Sequence, residues 1–134
     1  ICIPYGNMLS TDYSFGTIGF FIKQAKAGKD ITLYGGGDTK RTFTHMEDLC
    51  YQIVQGSMNK DSNGEIYNIG GQTLSLREAA EFVAKKFKTN VVAVEWPEKD
   101  FRIESNHTYF DDTKIRSLLC IGEYKQLQEF SKDL

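Results

Sequence analysis

An arginine, a histidine and two carboxylates fall within eight residues in RTFTHMED, Arg41 to Asp48, directly after three adjacent glycines at 35–37. A guanidinium fixed at the start of an extended segment offers a planar fork of donors that matches a phosphate, so Arg41 has the chemistry of anion recognition. Its competing reading is a surface ion pair. His45 has the chemistry of a general base, but a lone histidine beside a helix start equally suits a capping or core residue. Asn68 precedes Gly70 and Gly71, where its amide reaches either a ligand lying over a strand end or its own turn. Arg102, in the loop after Trp96 and Pro97, is a further cation. Nowhere are a nucleophile, a base and an orienting group clustered in sequence, and no metal-ligand spacing appears.

The glycines match neither phosphate-loop template: there is no G-x-x-x-x-G-K-[ST], and no G-x-G-x-x-G between a strand and a helix. Residues 35–38 instead have the composition of a turn that needs positive φ, where glycine meets no steric penalty. The turn carries the chain from the strand Ile31 to Tyr34 into the extended segment that Arg41 opens.

The elements that must position these groups follow from periodicity. Ile18, Phe21, Ile22 and Ala25 repeat at i, i+3, i+4, i+7, which predicts a helix from Thr17 to Ala27 stopped by Gly28, with Lys23, Lys26 and Lys29 solvated near its end. Met46, Leu49, Cys50 and Ile53 predict a second helix ending near Gly56, its first turn carrying Glu47 and Asp48. Residues 59–64 read as a polar loop and Glu65 to Gly71 as a strand broken by paired glycines. Ser75 and Glu78 form a capping box ahead of a helix with Leu76, Ala79, Ala80, Val83 and Phe87 on one face. Val91 to Trp96 reads as a strand. Asp111 or Asp112 caps a short helix bearing Ile115, Leu118 and Leu119, and Leu127, Phe130 and Leu134 mark a last one. The fold class is α/β in the mixed α+β sense, with short strands between about five helices.

With 134 residues, 40% hydrophobic and 25% charged, the chain has the composition of one soluble globular domain. A formal charge of -2 argues against broad attraction to nucleic acid or to an anionic membrane surface. No apolar run approaches the roughly 18 residues that a membrane span needs, and a cytoplasmic location is expected. Cys2, Cys50 and Cys120 are odd in number and widely spaced, and are expected to be reduced core residues. The opening ICIPYGN reads as a strand already in progress, so the chain is expected to be the C-terminal part of a longer protein.

Taken in order, IPYG at residues 3–6, FIKQAKAGKDITLYGGG at 21–37, RTFTHMEDL at 41–49, IYNIGG at 66–71 and DDTKI at 111–115 resemble the C-terminal half of the extended short-chain dehydrogenases. These are the NAD-dependent nucleotide-sugar epimerases and dehydratases. The segment Arg41 to Asp48 is similar to that family's R-D-[FY]-x-[HY]-V-x-D signature. The resemblance implies that residues 1–134 form a substrate-binding domain for a nucleoside diphosphate sugar, with the Rossmann core largely absent. It implies that Arg41 binds the diphosphate, that Thr32 and Tyr34 lie against the nucleotide base, and that Asn68 sits near the diphosphate or base. Arg102 inherits a second phosphate contact, and the helix start at Thr17 and Ile18 approaches the diphosphate, where N-terminal amides receive an anion.

Within the family, NAD and a Tyr-x-x-x-Lys pair oxidise the sugar transiently. The glycine-rich dinucleotide loop and that pair are not in this sequence, so NAD binding and catalysis are expected in an N-terminal half, and no catalytic residue is assigned here. A homodimer of the full-length protein is left open. Two departures stand out: Ile3 occupies the usual asparagine position of N-x-Y-G, and Thr42 replaces the aspartate after the signature arginine, removing an orienting carboxylate. They motivate two alternatives, a non-catalytic binding relative of the same fold and a reductase of the family acting on a non-nucleotide substrate.

Overall fold

The computed structural model describes residues 1, 3–6, 16–101 and 106–134, the side chains of 100 and 101 excepted. Their architecture is mixed α/β, with two small sheets. Strands β1 (Ile3–Tyr5), β3 (Lys40–His45) and β4 (Gln72–Ser75) form the first sheet in the order β1-β3-β4, β3 running parallel to β1 and antiparallel to β4. Strands β2 (Ile31–Tyr34) and β5 (Val91–Val94) form a parallel pair, in register from Ile31 opposite Val91 to Tyr34 opposite Val94.

The central strand β3 buries four consecutive residues, Thr42, Phe43, Thr44 and His45, because it is covered on both faces. Strand β2 alternates: Ile31 and Leu33 enter the core while Thr32 and Tyr34 face outward. Helices α1 (Gly16–Lys26) and α3 (Leu76–Phe87) pack on each other, and the main core joins Ile18, Phe21, Ile22 and Ala25 of α1 to Phe43, to Ala79, Ala80 and Val83 of α3, and to Leu127. The predicted capping box closes both ways: Ser75 Oγ accepts from the Glu78 amide at 3.1 Å, and Glu78 Oε2 accepts from the Ser75 amide at 2.7 Å. A single helical turn, α4 (Glu98–Phe101), and two short helices, α5 (Thr113–Leu119) and α6 (Leu127–Lys132), lie toward the C-terminus.

Four sequence expectations need correction. Residues 65–71 form no strand; there the buried Gln52 takes the place of a neighbouring strand, its Oε1 accepting from the Gly70 amide at 2.8 Å and its Nε2 donating to the Gly70 carbonyl at 3.2 Å. The stripe on α2 (Met46–Met58) is also turned. Leu49 and Gln52 are buried, whereas Cys50 is exposed and Ile53 is 47% exposed, because pairing Gly70 with Gln52 aims that side of the helix inward. Cys50 and Cys120 are exposed, not core residues, and Cys2 lies outside the described residues. The strand expected to reach Trp96 ends at Val94.

Candidate functional site

Arg41 is placed by both sides of β3. Its backbone pairs with Leu74 of β4 on one side and bridges Thr108 on the other, so its guanidinium is fixed by a strand in the middle of three segments. The side chain is half-buried, and Nη1 donates to the carbonyls of Lys40, at 2.9 Å, and Asn106. Two bonds from one terminal nitrogen orient a group that carries five N–H donors in a rigid plane. The segment 106–111 thus runs along β3 as a strap. Besides the Arg41 contact, Thr108 donates its amide to Lys40 O at 2.9 Å and His107 Nδ1 accepts from the Lys40 amide at 3.0 Å.

Thr42 secures the same strap. It is 1% exposed, and its hydroxyl accepts the Phe110 amide at 2.9 Å. A short β-branched residue fits that buried strand position, where an aspartate would be a charge taken out of water. Asn68 meets the far end, its Nδ2 donating to the Asp111 carbonyl at 3.1 Å. Asp111 in turn turns the chain into α5: its Oδ1 accepts from the Thr113 amide at 2.9 Å, and the Thr113 hydroxyl and amide hold its carboxyl below the usual range. One strap therefore joins Arg41, Thr42 and Asn68.

The glycine turn forms a second part of the site. Gly35, Gly36 and Gly37 all have positive φ, 59°, 84° and 78°, which makes the triplet the tight bend expected between β2 and β3. Two of the three also give space to the protein's own side chains. A Cβ on Gly35 would collide with the Trp96 indole, and one on Gly37 would meet Leu33 Cδ1 at 2.5 Å and the Arg77 backbone nitrogen at 3.1 Å. The triplet therefore does not fit a dinucleotide cradle. Trp96, which no sequence signal singled out beyond its position before Pro97, packs on Tyr34 with ring centroids 5.0 Å apart and planes at 33°. Thr32 and Tyr34 stand together on the outward face of β2.

Gly70 and Gly71 behave alike. A Cβ on Gly70 would overlap the Tyr124 hydroxyl and Asp112, and one on Gly71 would overlap the Phe43 carbonyl, so these glycines admit neighbouring protein atoms. Tyr124 donates to Asp112 Oδ2 at 2.6 Å, and burial together with that carboxylate pushes its phenol above the usual range.

His45 caps α2, its Nδ1 accepting from the Glu47 amide at 3.2 Å, and its ring lies edge-on to Tyr5 at 5.3 Å. Burial, reinforced by the Lys125 charge, lowers its pKa from 6.5, while Glu47 and Asp48 oppose the shift. The imidazole is accordingly a neutral cap. Glu47 pairs with Lys125 Nζ, a bond that holds its carboxyl below the usual range, and Asp48 Oδ2 accepts from the Lys125 amide at 2.7 Å. A cavity of about 630 Å³ opens beside them, lined by His45, Tyr124, Lys125 and Phe130 among others.

Thr17 and Ile18 lie in the first turn of α1, which packs on α3, β1 and β2. The Ile18 side chain is in the core at 3% exposure, leaving only its backbone for any contact with an anion. Arg102 lies outside the described residues. No group of three or more histidine, cysteine, aspartate or glutamate residues suited to a metal, and no helix long and apolar enough to cross a membrane, occurs among the described residues.

The model of the NAD dependent epimerase/dehydratase family matches residues 4–70, which run from β1 through the glycine turn and Arg41 to Gly70. A UDP-N-acetyl-alpha-D-glucosaminuronate decarboxylase from Bacillus cytotoxicus is 37% identical over 67 residues, 49% of this chain and 21% of that protein. A dTDP-glucose 4,6-dehydratase from Streptomyces niveus is 32% identical over 107 residues, 76% of this chain and 30% of that protein. Among solved structures, UDP-glucuronic acid 4-epimerase from Bacillus cereus, in complex with NAD, superposes with a TM-score of 0.74 at 23% identity, over 97% of this chain and 38% of the other. The chain thus spans less than a third of the length of the two curated relatives. With half its length matched by the family model, the chain belongs to the NAD dependent epimerase/dehydratase family.

Proposed function

We propose that this chain is the nucleotide-sugar-binding part of an NAD-dependent epimerase or dehydratase, with Arg41 holding the diphosphate. The observation that carries the reading is the fixed Arg41 guanidinium, which opens the segment 41–48 within the residues matched by the family model and is oriented by the Asn106 carbonyl of the strap. A planar donor fork held by backbone contacts loses little freedom on meeting a phosphate, which favours binding. Asn68, at the other end of the strap, supports the same anion or the base, and the outward face of Thr32 and Tyr34 receives the base. The relatives named above, which act on UDP-linked and dTDP-linked sugars, support this substrate class. Thr17, the backbone of Ile18 and Arg102 complete the proposed contacts.

The role is to convert binding of the remote nucleotide into placement of the sugar. Transient oxidation of that sugar is the chemistry NAD supplies when bound, and the space beside Gly35, Gly37, Gly70 and Gly71 is already taken by neighbouring protein atoms. Dinucleotide and catalytic groups are assigned to residues outside this sequence, so residues 1–134 alone bind without turnover. The non-catalytic alternative gains nothing from Thr42, whose hydroxyl has a structural partner in Phe110.

Calorimetry of the full-length protein with NAD, titrated with UDP-glucose and dTDP-glucose, tests the proposal. Binding of at least one, weakened in Arg41→Ala, is expected. Absence of binding by both, with UDP and dTDP also silent, would overturn it.

A further inference from the structure

We infer that Trp96 is a positioning residue for the nucleobase: it fixes the Tyr34 ring as a flat aromatic platform at the open end of the β2/β5 sheet. This rests on the nucleotide-binding reading of the site and adds to it a residue outside the segment matched by the family model. Three observations converge. Tyr34 is 45% exposed although it is the last residue of a strand whose neighbour Leu33 is buried, so its ring is displayed on the outer face of the sheet. Trp96 lies against it at 5.0 Å between centroids and 33° between planes, a tilted pairing that restricts the tyrosine while leaving it partly exposed. Gly35, with φ of 59°, leaves the space that the indole occupies, so the glycine turn and the tryptophan depend on each other.

The chemistry of such a platform suits a planar, weakly polar ring. Every nucleobase has a π face, and stacking on an aromatic side chain adds affinity without reading hydrogen-bond donors and acceptors. Thr32, two residues earlier on the same face, sets a hydroxyl beside that surface. Arg41 follows the turn on β3, so the connection places an aromatic surface before the bend and a phosphate-binding fork after it. A nucleoside diphosphate spans the two chemistries in that order, base to tyrosine and diphosphate to arginine.

Binding of UDP, dTDP and inorganic pyrophosphate to the full-length protein, measured by calorimetry in Trp96→Leu and Trp96→Phe, separates the two parts. Trp96→Leu is expected to weaken the tighter-binding nucleotide about tenfold, the scale of one lost base stack, while pyrophosphate changes less than twofold. Trp96→Phe, which keeps an aromatic face, restores most of the nucleotide affinity. A second reading does not depend on the leucine variant folding. The emission component present in the unaltered protein and absent from Trp96→Phe should be quenched by the nucleotide and not by pyrophosphate. Equal loss for nucleotide and pyrophosphate, no loss for either, or a Trp96 emission indifferent to the nucleotide would overturn the inference. Nucleotide binding that still requires Arg41 would leave the broader reading standing in each of those cases, whereas failure of both nucleotides to bind removes that reading and this one together.

Discussion

The hydroxyl of Thr42 accepts the backbone amide of Phe110 at 2.9 Å, joining the central strand to a segment 68 residues further along the chain. In the sequence this threonine marks a departure from the family signature. In the folded protein it is buried and holds the strap whose Asn106 carbonyl orients Arg41. Thr42→Ala leaves that amide without its partner and is expected to cost about 1–3 kcal/mol. Thr42→Ser should recover most of the loss. Urea unfolding of the three proteins measures the effect, and a Thr42→Ala protein as stable as the unaltered one would show that the strap is held elsewhere.

The glycine turn gives an ordered set of costs. All three residues have positive φ, so alanine at any of them costs on the order of 1–2 kcal/mol from the backbone alone. Gly36→Ala should show little more, since the nearest atom to its added Cβ is Arg77 Nη2 at 3.5 Å, an ordinary contact. Gly37→Ala should be worse, because its Cβ would press on Leu33 and on the Arg77 backbone, and Gly35→Ala should displace the Trp96 indole. Denaturation midpoints in the order Gly36→Ala above Gly35→Ala and Gly37→Ala are the expected outcome. Equal midpoints for all three would mean that φ alone explains the triplet.

His45 predicts a pH dependence of stability. Its folded-state pKa lies below 6.5, so between those two values the unfolded chain binds the extra proton and the native state does not. The contribution of His45 is therefore present above about pH 6.5 and lost as pH falls toward the lowered folded value. The carboxylates of Glu47, Glu65 and Glu78, held low by Lys125, by Lys114 and by Ser75, act in a separate window below their ordinary value of 4.5. Thermal unfolding between pH 7.5 and 5.5 should show a fall in midpoint that is smaller in His45→Asn, which keeps a side-chain acceptor for the helix cap. An identical fall in both proteins would place the proton elsewhere.

The capping box offers the simplest control away from the site. Ser75→Ala removes the acceptor for the Glu78 amide and is expected to cost about 1 kcal/mol of stability while leaving nucleotide affinity unchanged. Loss of binding in that variant would mean that α3 contributes to the site directly.

How far the sequence disclosed this protein depends on whether a residue's role was local. The stripe of α1, the Ser75–Glu78 box and the strand Ile31 to Tyr34 are set by neighbours a few positions away, and all are found as expected. The bend at the three glycines was legible for the same reason, since positive φ is a property of the turn itself. Gln52 was not, because its value comes from Gly70, 18 residues distant, and no periodicity rule puts a glutamine inside. That long-range pair also explains why Cys50 and Ile53 face outward against their helical pattern and why residues 65–71 lack a strand. Arg41 was singled out by residue type and motif, but the strap that orients it became visible only when residues 106–111 were brought alongside β3. Trp96 and Tyr34 are 62 positions apart in sequence, and only the parallel pairing of β2 with β5 brings the two strands' ends together.

The affinity of the full-length Arg41→Lys protein for UDP and dTDP shows whether the Arg41 fork meets a diphosphate. Lysine keeps the positive charge and loses the planar pair of donors, so the variant separates a fork from a charge. Affinity for the bound nucleotide is expected to fall about tenfold or more in Arg41→Lys and further in Arg41→Ala, with the Thr42→Ser protein unaffected. An Arg41→Ala protein that folds and binds the nucleotide as tightly as the unaltered one would contradict a diphosphate role for Arg41.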